Sequence, residues 1–133
     1  MNHLFDTSAL IVHTFAEPGA SEVQSLIAQE QHTLFICSLS LFELAGVLKR
    51  NRASNRISAC WEIYRQIAEI IPVTADLAQD AWRLRESTGR RLPMADAIIA
   101  ATAQSRGATL VHRNRHLATI PHSLIPQIRL PAK

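Results

Sequence analysis

Lysine is nearly absent from this chain: Lys49 and Lys133 stand against twelve arginines. Two α/β classes built on clustered acids, the phosphoacceptor signalling domains and the phosphatases with an aspartate nucleophile, need a well-placed lysine late in the chain. Lys49 follows Glu43 on a helix-like stretch and Lys133 is the last residue, so neither fits, and with only four glycines there is no Gly-rich phosphate loop either. Cysteine occurs twice, at Cys37 and Cys60, outside C-x-x-C or Cys/His metal spacing, which excludes a disulfide framework and a zinc ribbon. Both read as buried free thiols in a reducing compartment. No apolar run approaches about 18 residues, and the start lacks a basic region followed by a hydrophobic core and a cleavage site. The expectation is a cytoplasmic protein without membrane association.

What is present suits a conventional core. The 133 residues are 47% hydrophobic and 19% charged, and a chain of this size buries roughly two thirds of its unfolded surface. One domain spanning residues 1–133 is expected, with no low-complexity segment, repeat or linker dividing it. The net charge of +3 is modest, but arginine's planar fork matches phosphate bidentately, so nucleic acid is a candidate partner. Arginines such as Arg83 and Arg85 also read as solvation of helix faces. The seven aromatics are scattered through apolar stretches and show no base-stacking platform.

Hydrophobic period alternates short strands with helices. Strands are expected at 3–5, 34–37, 70–73, 109–112 and, more weakly patterned, 124–128. Ile57, Cys60, Trp61, Tyr64, Ile67 and Ala68 recur at three and four residues, as one helix face requires, and Leu77, Ala78, Ala81 and Leu84 do the same. Pro18 and Gly19 split the first helical region. Continuously apolar strands separated by helices imply a three-layer α/β/α sandwich with a central, mostly parallel sheet of four or five strands. Ligands of such sheets bind beyond the carboxyl ends of the strands, where strand order reverses.

Three acids fall at such places, each with a structural explanation beside the functional one. Asp6 follows the first strand and suits a helix N-cap. Glu43 closes S-x-x-E from Ser40, a capping box. Asp96 lies in the first turn of a helix opened by Pro93, where negative charge suits the dipole. Yet all three are embedded in apolar sequence: FDTSALI, LSLFELAGVL and MADAIIAA. Capping acids usually sit at wet surfaces. If the three converge, repulsion raises their pKa values unless a cation intervenes, and an oxygen-liganded Mg²⁺ or Mn²⁺ is the natural one without a Cys or His cluster.

The segments FDTSALI, CSLSLFELAGVLKR, RRLPMADAIIAATAQSRGATLV and HRNRHLATIP, in this order, resemble the PIN domains, and within them the VapC-type toxins of prokaryotic toxin–antitoxin modules. The resemblance implies a metal-dependent ribonuclease with a PIN-like fold. It implies metal-binding acids at Asp6, Glu43 and Asp96, helped by the Ser8 hydroxyl, and a fourth catalytic position at Asn114. The family pattern there is a hydroxyl residue, any residue, then aspartate or asparagine; His112 replaces the hydroxyl, and Asn114 brings an amide and no charge. It also implies a homodimer and a VapB-like antitoxin that lays an apolar segment into a groove between helices and pushes a basic side chain toward the acids.

An acidic pocket needs surrounding cations to accept an RNA backbone, and Arg90, Arg91, Arg113 and Arg115 flank the motifs as phosphate-contact candidates, or as solvated loop. His112 and His116 are four apart, but the first ends a strand and no third ligand is close, so structural or substrate-contact roles fit better than zinc. Trp61, Tyr64 and Trp82 are candidates for the antitoxin groove; at helical spacing such residues are more often core. The competing functional reading is a catalytically weakened PIN domain, an RNA-binding or antitoxin-binding module, supported by Asn114.

Overall fold

A computed structural model describes residues 1–89 and 91–133. The elements, in chain order, are β1 (Asn2–Phe5), α1 (Thr7–Thr14), α2 (Ala20–Ala28), β2 (Thr33–Cys37), α3 (Ser38–Arg50), α4 (Ile57–Ile67), β3 (Glu69–Ile71), α5 (Ala75–Thr88), α6 (Met94–Ser105), β4 (Thr109–His112) and β5 (Gln127–Arg129). Short 3-10 turns occupy Ser54–Arg56 and Leu117–Thr119. The five strands form one sheet in the order β3-β2-β1-β4-β5, and all four pairings are parallel. The expected strands are therefore present, with β3 ending two residues early and β5 confined to the end of its apolar stretch.

Strand alternation feeds two cores, one on each face of the sheet. Leu4, Phe35, Cys37, Ile71 and Leu110 point to the face covered by α5 and α6. Phe5, Leu34, Ile36, Ile70 and Val111 point to the face covered by α1 to α4. Neighbouring residues on one strand thus serve opposite layers, as a period of two demands, and the strands read as continuously apolar because both faces are buried. Ala97, Ala100, Ala101 and Ala103 are buried on α6, and their small side chains let that helix lie close to the sheet.

The helix stripes carry two departures from the sequence pattern. On α5, Leu77, Ala81 and Leu84 are buried, but Ala78 is exposed and Trp82 is 59% exposed, because each stands off the inward stripe. On α4, Tyr64 is core, and its hydroxyl meets Thr14 Oγ1 at 2.8 Å and His13 Nδ1 at 2.9 Å; Trp61 is half-buried and donates from Nε1 to Leu41 O. Both cysteines are free and buried.

Gly19 shows why the first helical region breaks. Its φ of +101° is one that other residues rarely adopt, and a Cβ there would meet Pro131 Cδ at 3.0 Å. The last residues of the chain thus pack against the α1–α2 corner. Glu17 strengthens the same corner, its carboxylate bridging Arg113 and Lys133 at 2.8 Å each.

The order of strands fixes where a ligand can sit. The chain runs from β1 outward through β2 to β3, then crosses through α5 and α6 to place β4 on the other side of β1. The reversal lies between β1 and β4, and the crevice of the sheet opens beyond their carboxyl ends.

His112, at the end of β4, is fully buried. Its Nδ1 accepts from the Asn114 amide at 3.0 Å, and its Nε2 lies 2.8 Å from Gln127 Oε1, while Gln127 Nε2 donates to Ile120 O. These partners assign the neutral tautomer with the proton on Nε2. Burial first, and the Arg129 and His122 charges after it, hold its pKa below the usual 6.5 despite the Gln127 bond. The unfolded chain therefore binds the proton first as pH falls below about 6.5, and stability is lost in that window. Urea midpoints of the wild-type protein and His112→Gln should differ at about pH 7.5, with the variant weaker, and the gap should narrow toward about pH 5. A gap independent of pH would show that His112 is not held neutral.

Candidate functional site

Asp6 stands directly after β1, 2% exposed, and caps α1. Its Oδ2 accepts from the Ser8 backbone N–H at 3.1 Å and from the Ser8 hydroxyl at 2.6 Å. The cap is real, but it uses one carboxylate oxygen. Among the described residues Oδ1 has no hydrogen-bond partner. Burial pushes the Asp6 pKa up to about 6; the two Ser8 bonds lower it, and the Asp96 and Glu43 charges raise it further.

Ser8 does more than cap. Its Oγ also accepts the Arg113 amide at 2.8 Å, and the Asp6 amide donates to Val111 O at 3.0 Å. The carboxyl ends of β1 and β4 are thus tied together around the carboxylate.

Glu43 arrives from α3, and the capping-box explanation does not hold. The helix begins at Ser38, two residues before Ser40, with Cys37 as its N-cap, so Glu43 lies in the second turn. Its Oε1 accepts the Thr7 hydroxyl at 2.6 Å, and Thr7 Oγ1 is also hydrogen-bonded to the buried Ser40 hydroxyl at 2.9 Å. Two hydroxyls therefore aim Glu43 at the start of α1.

Asp96 lies in the first turn of α6, as expected. Burial raises its pKa, opposed by the Asn114 hydrogen bond and the His116 charge and reinforced by Glu43. Asn114 Nδ2 donates to Asp96 Oδ1 at 3.0 Å, while Asn114 Oδ1 accepts the His116 and Leu117 amides at 2.8 and 3.4 Å. Backbone donors on one side and a carboxylate on the other decide which end is oxygen. Asn114 consequently presents a donor to the acids, and its oxygen caps the following turn.

Asp6, Glu43, Asp96 and Asn114 line one cavity of about 380 Å³, together with Arg50 and Phe42. Among the described residues no three His, Cys, Asp or Glu side chains stand close enough together to hold a metal ion between them. The donor chemistry still fits a hard cation: three carboxylates share one cavity, and no ion pair neutralises any of them among the described residues. Mg²⁺ keeps several of its waters and takes only one or two carboxylates directly, so it does not require a closed cage.

The flanking arginines separate by position. Arg113 turns inward, its Nη2 paired with Glu17 at 2.8 Å and both side chains mostly buried. Arg91 and Arg115 are exposed and do not line the cavity. Arg90 lies outside the described residues. The arginine that does line it is Arg50, seven residues after Glu43 and so on the same helix face, a spacing legible in the sequence. Phe42, 77% exposed at the cavity, also went unrecognised, because an aromatic beside Leu41 and Leu44 reads as core. Thr7 was passed over beside Ser8; its role needed the meeting of α1 and α3.

A model of the family described as PIN domain matches residues 4–122. Among solved structures, the chain is similar to VapBC2 of Rickettsia felis bound to a promoter DNA fragment, with a TM-score of 0.78 and 22% identity over 98% of this chain and 100% of that one. It is similar to the Sarcin-Ricin loop cleaving toxin VapC20 of Mycobacterium tuberculosis, with a TM-score of 0.71 and 20% identity over 89% and 93%. A toxin–antitoxin complex from Klebsiella pneumoniae gives 0.64 and 28% over 90% and 92%. No curated protein matches by sequence.

Asp6 yields a test on the metal-free protein. Its folded pKa, about 6, lies above the usual 3.8, so folding favours the protonated form, and that stability is lost as pH rises through about 6. At about pH 7 the buried ionised carboxylate is a cost that Asp6→Asn removes while keeping the N-cap acceptor. The variant should be more stable by up to about 3 kcal/mol in chelator at neutral pH, with the gain vanishing near pH 4. Equal or lower stability at neutral pH would contradict the cost assigned to burying the ionised Asp6 carboxylate.

Proposed function

From the premise that this chain belongs to the PIN domain family, we propose that it is a Mg²⁺- or Mn²⁺-dependent ribonuclease and the toxin of a type II toxin–antitoxin pair. One observation carries the reading: Asp6, Glu43 and Asp96, brought by three separate segments, line one cavity beyond the sheet's switch point. Clustered carboxylates beside so little positive charge suit a divalent ion and the phosphodiester it recruits.

In this reading Asp6 and Asp96 hold the ion, with Glu43 completing the set. Bound there, it supplies Lewis acidity, neutralising the phosphodiester and making a water more acidic. Ser8 keeps Asp6 Oδ2 occupied, and among the described residues Oδ1 is left without a hydrogen-bond partner. Thr7 orients Glu43 through Oε1, leaving its second oxygen to complete the set around the ion. Asn114 fixes the rotamer of Asp96 and offers a hydrogen where a second ion would need an acceptor. No side chain acts as a nucleophile.

Several VapBC complexes are among the similar structures, and a VapB-like antitoxin is the partner we propose. The hollow between α1 and α4, about 180 Å³ and lined by His13, Thr14, Arg56, Cys60, Ile63 and Tyr64, mixes apolar and polar groups and suits an amphipathic segment of it. A homodimer, a cytoplasmic location and inhibition of translation or growth complete the proposal. No described helix is long and apolar enough to cross a membrane.

The second reading, a weakened module that binds RNA or antitoxin without cleaving, is favoured by the orientation of Asn114 alone. Purified protein should cleave a panel of single-stranded and structured RNAs with Mg²⁺ or Mn²⁺, lose cleavage in chelator, and lose about 100-fold or more in Asp96→Asn. RNA left intact with both metals across the panel would overturn the ribonuclease reading. A large gain of activity in Asn114→Asp would favour the weakened one.

A further inference from the structure

The sequence shows no stacking platform and places its cations around Asp96 and Asn114, whereas the cavity takes its cation and its aromatic from α3. Phe42, Glu43, Gly46, Val47 and Arg50 line it from one helix face. Arg50 Nη1 lies 3.5 Å from where a Cβ on Gly46 would sit, so the guanidinium folds back along the helix, one turn toward Glu43. Among the described residues it forms no ion pair and no hydrogen bond, although carboxylates line the same cavity. Arg113, the other arginine at this edge, is spent on Glu17. Phe42 leaves 77% of its surface in water one residue before Glu43, while its neighbours Leu41 and Leu44 are buried.

We propose that Phe42 and Arg50 form a strand-reading rim that selects single-stranded RNA, with Phe42 stacking one unpaired base and Arg50 holding a phosphate beside the cavity. The inference rests on the ribonuclease reading and deepens it. Charge supports the occupant: an acidic cavity repels a nucleic-acid backbone, and Arg50 is the one unpaired cation lining it among the described residues. A duplex hides its base faces within the stack, so an exposed ring at the rim rewards an unpaired base.

Fluorescence anisotropy of the full chain with a short labelled oligoadenylate, alone and annealed to oligouridylate, tests this, with Ca²⁺ replacing Mg²⁺ to slow cleavage. Wild-type protein should prefer the single strand. Phe42→Leu should weaken that binding about tenfold without changing its salt dependence, and Phe42→Trp should retain it. Arg50→Gln should lower the slope of log affinity against log salt by about 0.7, one phosphate contact. Full affinity and slope in both Phe42→Leu and Arg50→Gln, in a protein that still cleaves RNA, would overturn the rim and leave the ribonuclease reading standing. Wild-type protein that neither binds nor cleaves RNA would remove both. A Phe42→Leu variant that changes oligomeric mass but not RNA affinity would assign the ring to a protein contact and overturn the rim.

Discussion

Asp6 puts a carboxylate at the end of the central strand, where it is 2% exposed and faces two more acids. Buried charge of one sign is among the costliest arrangements a fold can hold, and much of the surrounding structure answers it. Ser8 donates twice to Oδ2, and its hydroxyl accepts the Arg113 amide, which binds the end of β4 to the same spot. Asn114 donates to Asp96, and Thr7 donates to Glu43. Each acid thus receives hydrogen bonds from uncharged donors, and none receives a salt bridge among the described residues. Neutral donors orient a carboxylate without cancelling its charge, which in the proposed function is the part left to a divalent cation.

The division among the basic residues follows from the same constraint. On the proposed function a cation paired with Asp6 or Asp96 would compete with the metal, and Arg113, the residue before Asn114, is paired instead with Glu17. That pair also binds Lys133, so the chain's last residue helps to hold the strand end that carries Asn114. Arg50 lies over Gly46 and forms no ion pair among the described residues. His112, adjacent to Arg113, is kept neutral by burial and supplies a backbone clasp, adding no positive charge among the acids.

The fold was largely legible because strands and helices buried on both sides leave strong patterns: four apolar runs and the Pro18–Gly19 break lie close to where the structure has them. β5 carries the weakest pattern of the five, and β3, equally short and also at an edge of the sheet, ends two residues before its apolar run does. The three acids were legible as charges inside apolar runs, and the structure brings them to one cavity. Their supports were not. Thr7 meets Glu43 across 36 residues, and nothing local in FDTS or LFEL announces that bond. The capping box at Ser40 was a sound local inference that lost to an earlier helix start, since β2 runs directly into α3 at Ser38. Trp82 and Phe42 show the opposite failure. An aromatic within an apolar helix reads as core, but a helix turns about 100° per residue, and a ring one place off the inward stripe faces water.

The account centres on a cavity whose charge is left for a divalent cation to neutralise, and anomalous diffraction from crystals soaked in Mn²⁺ tests that most directly. It predicts an anomalous peak inside the cavity, within coordination reach of the Asp6 and Asp96 carboxylates and absent from Asp6→Asn crystals. A cavity without a peak at millimolar Mn²⁺, or a peak only at sites elsewhere on the surface, would contradict it.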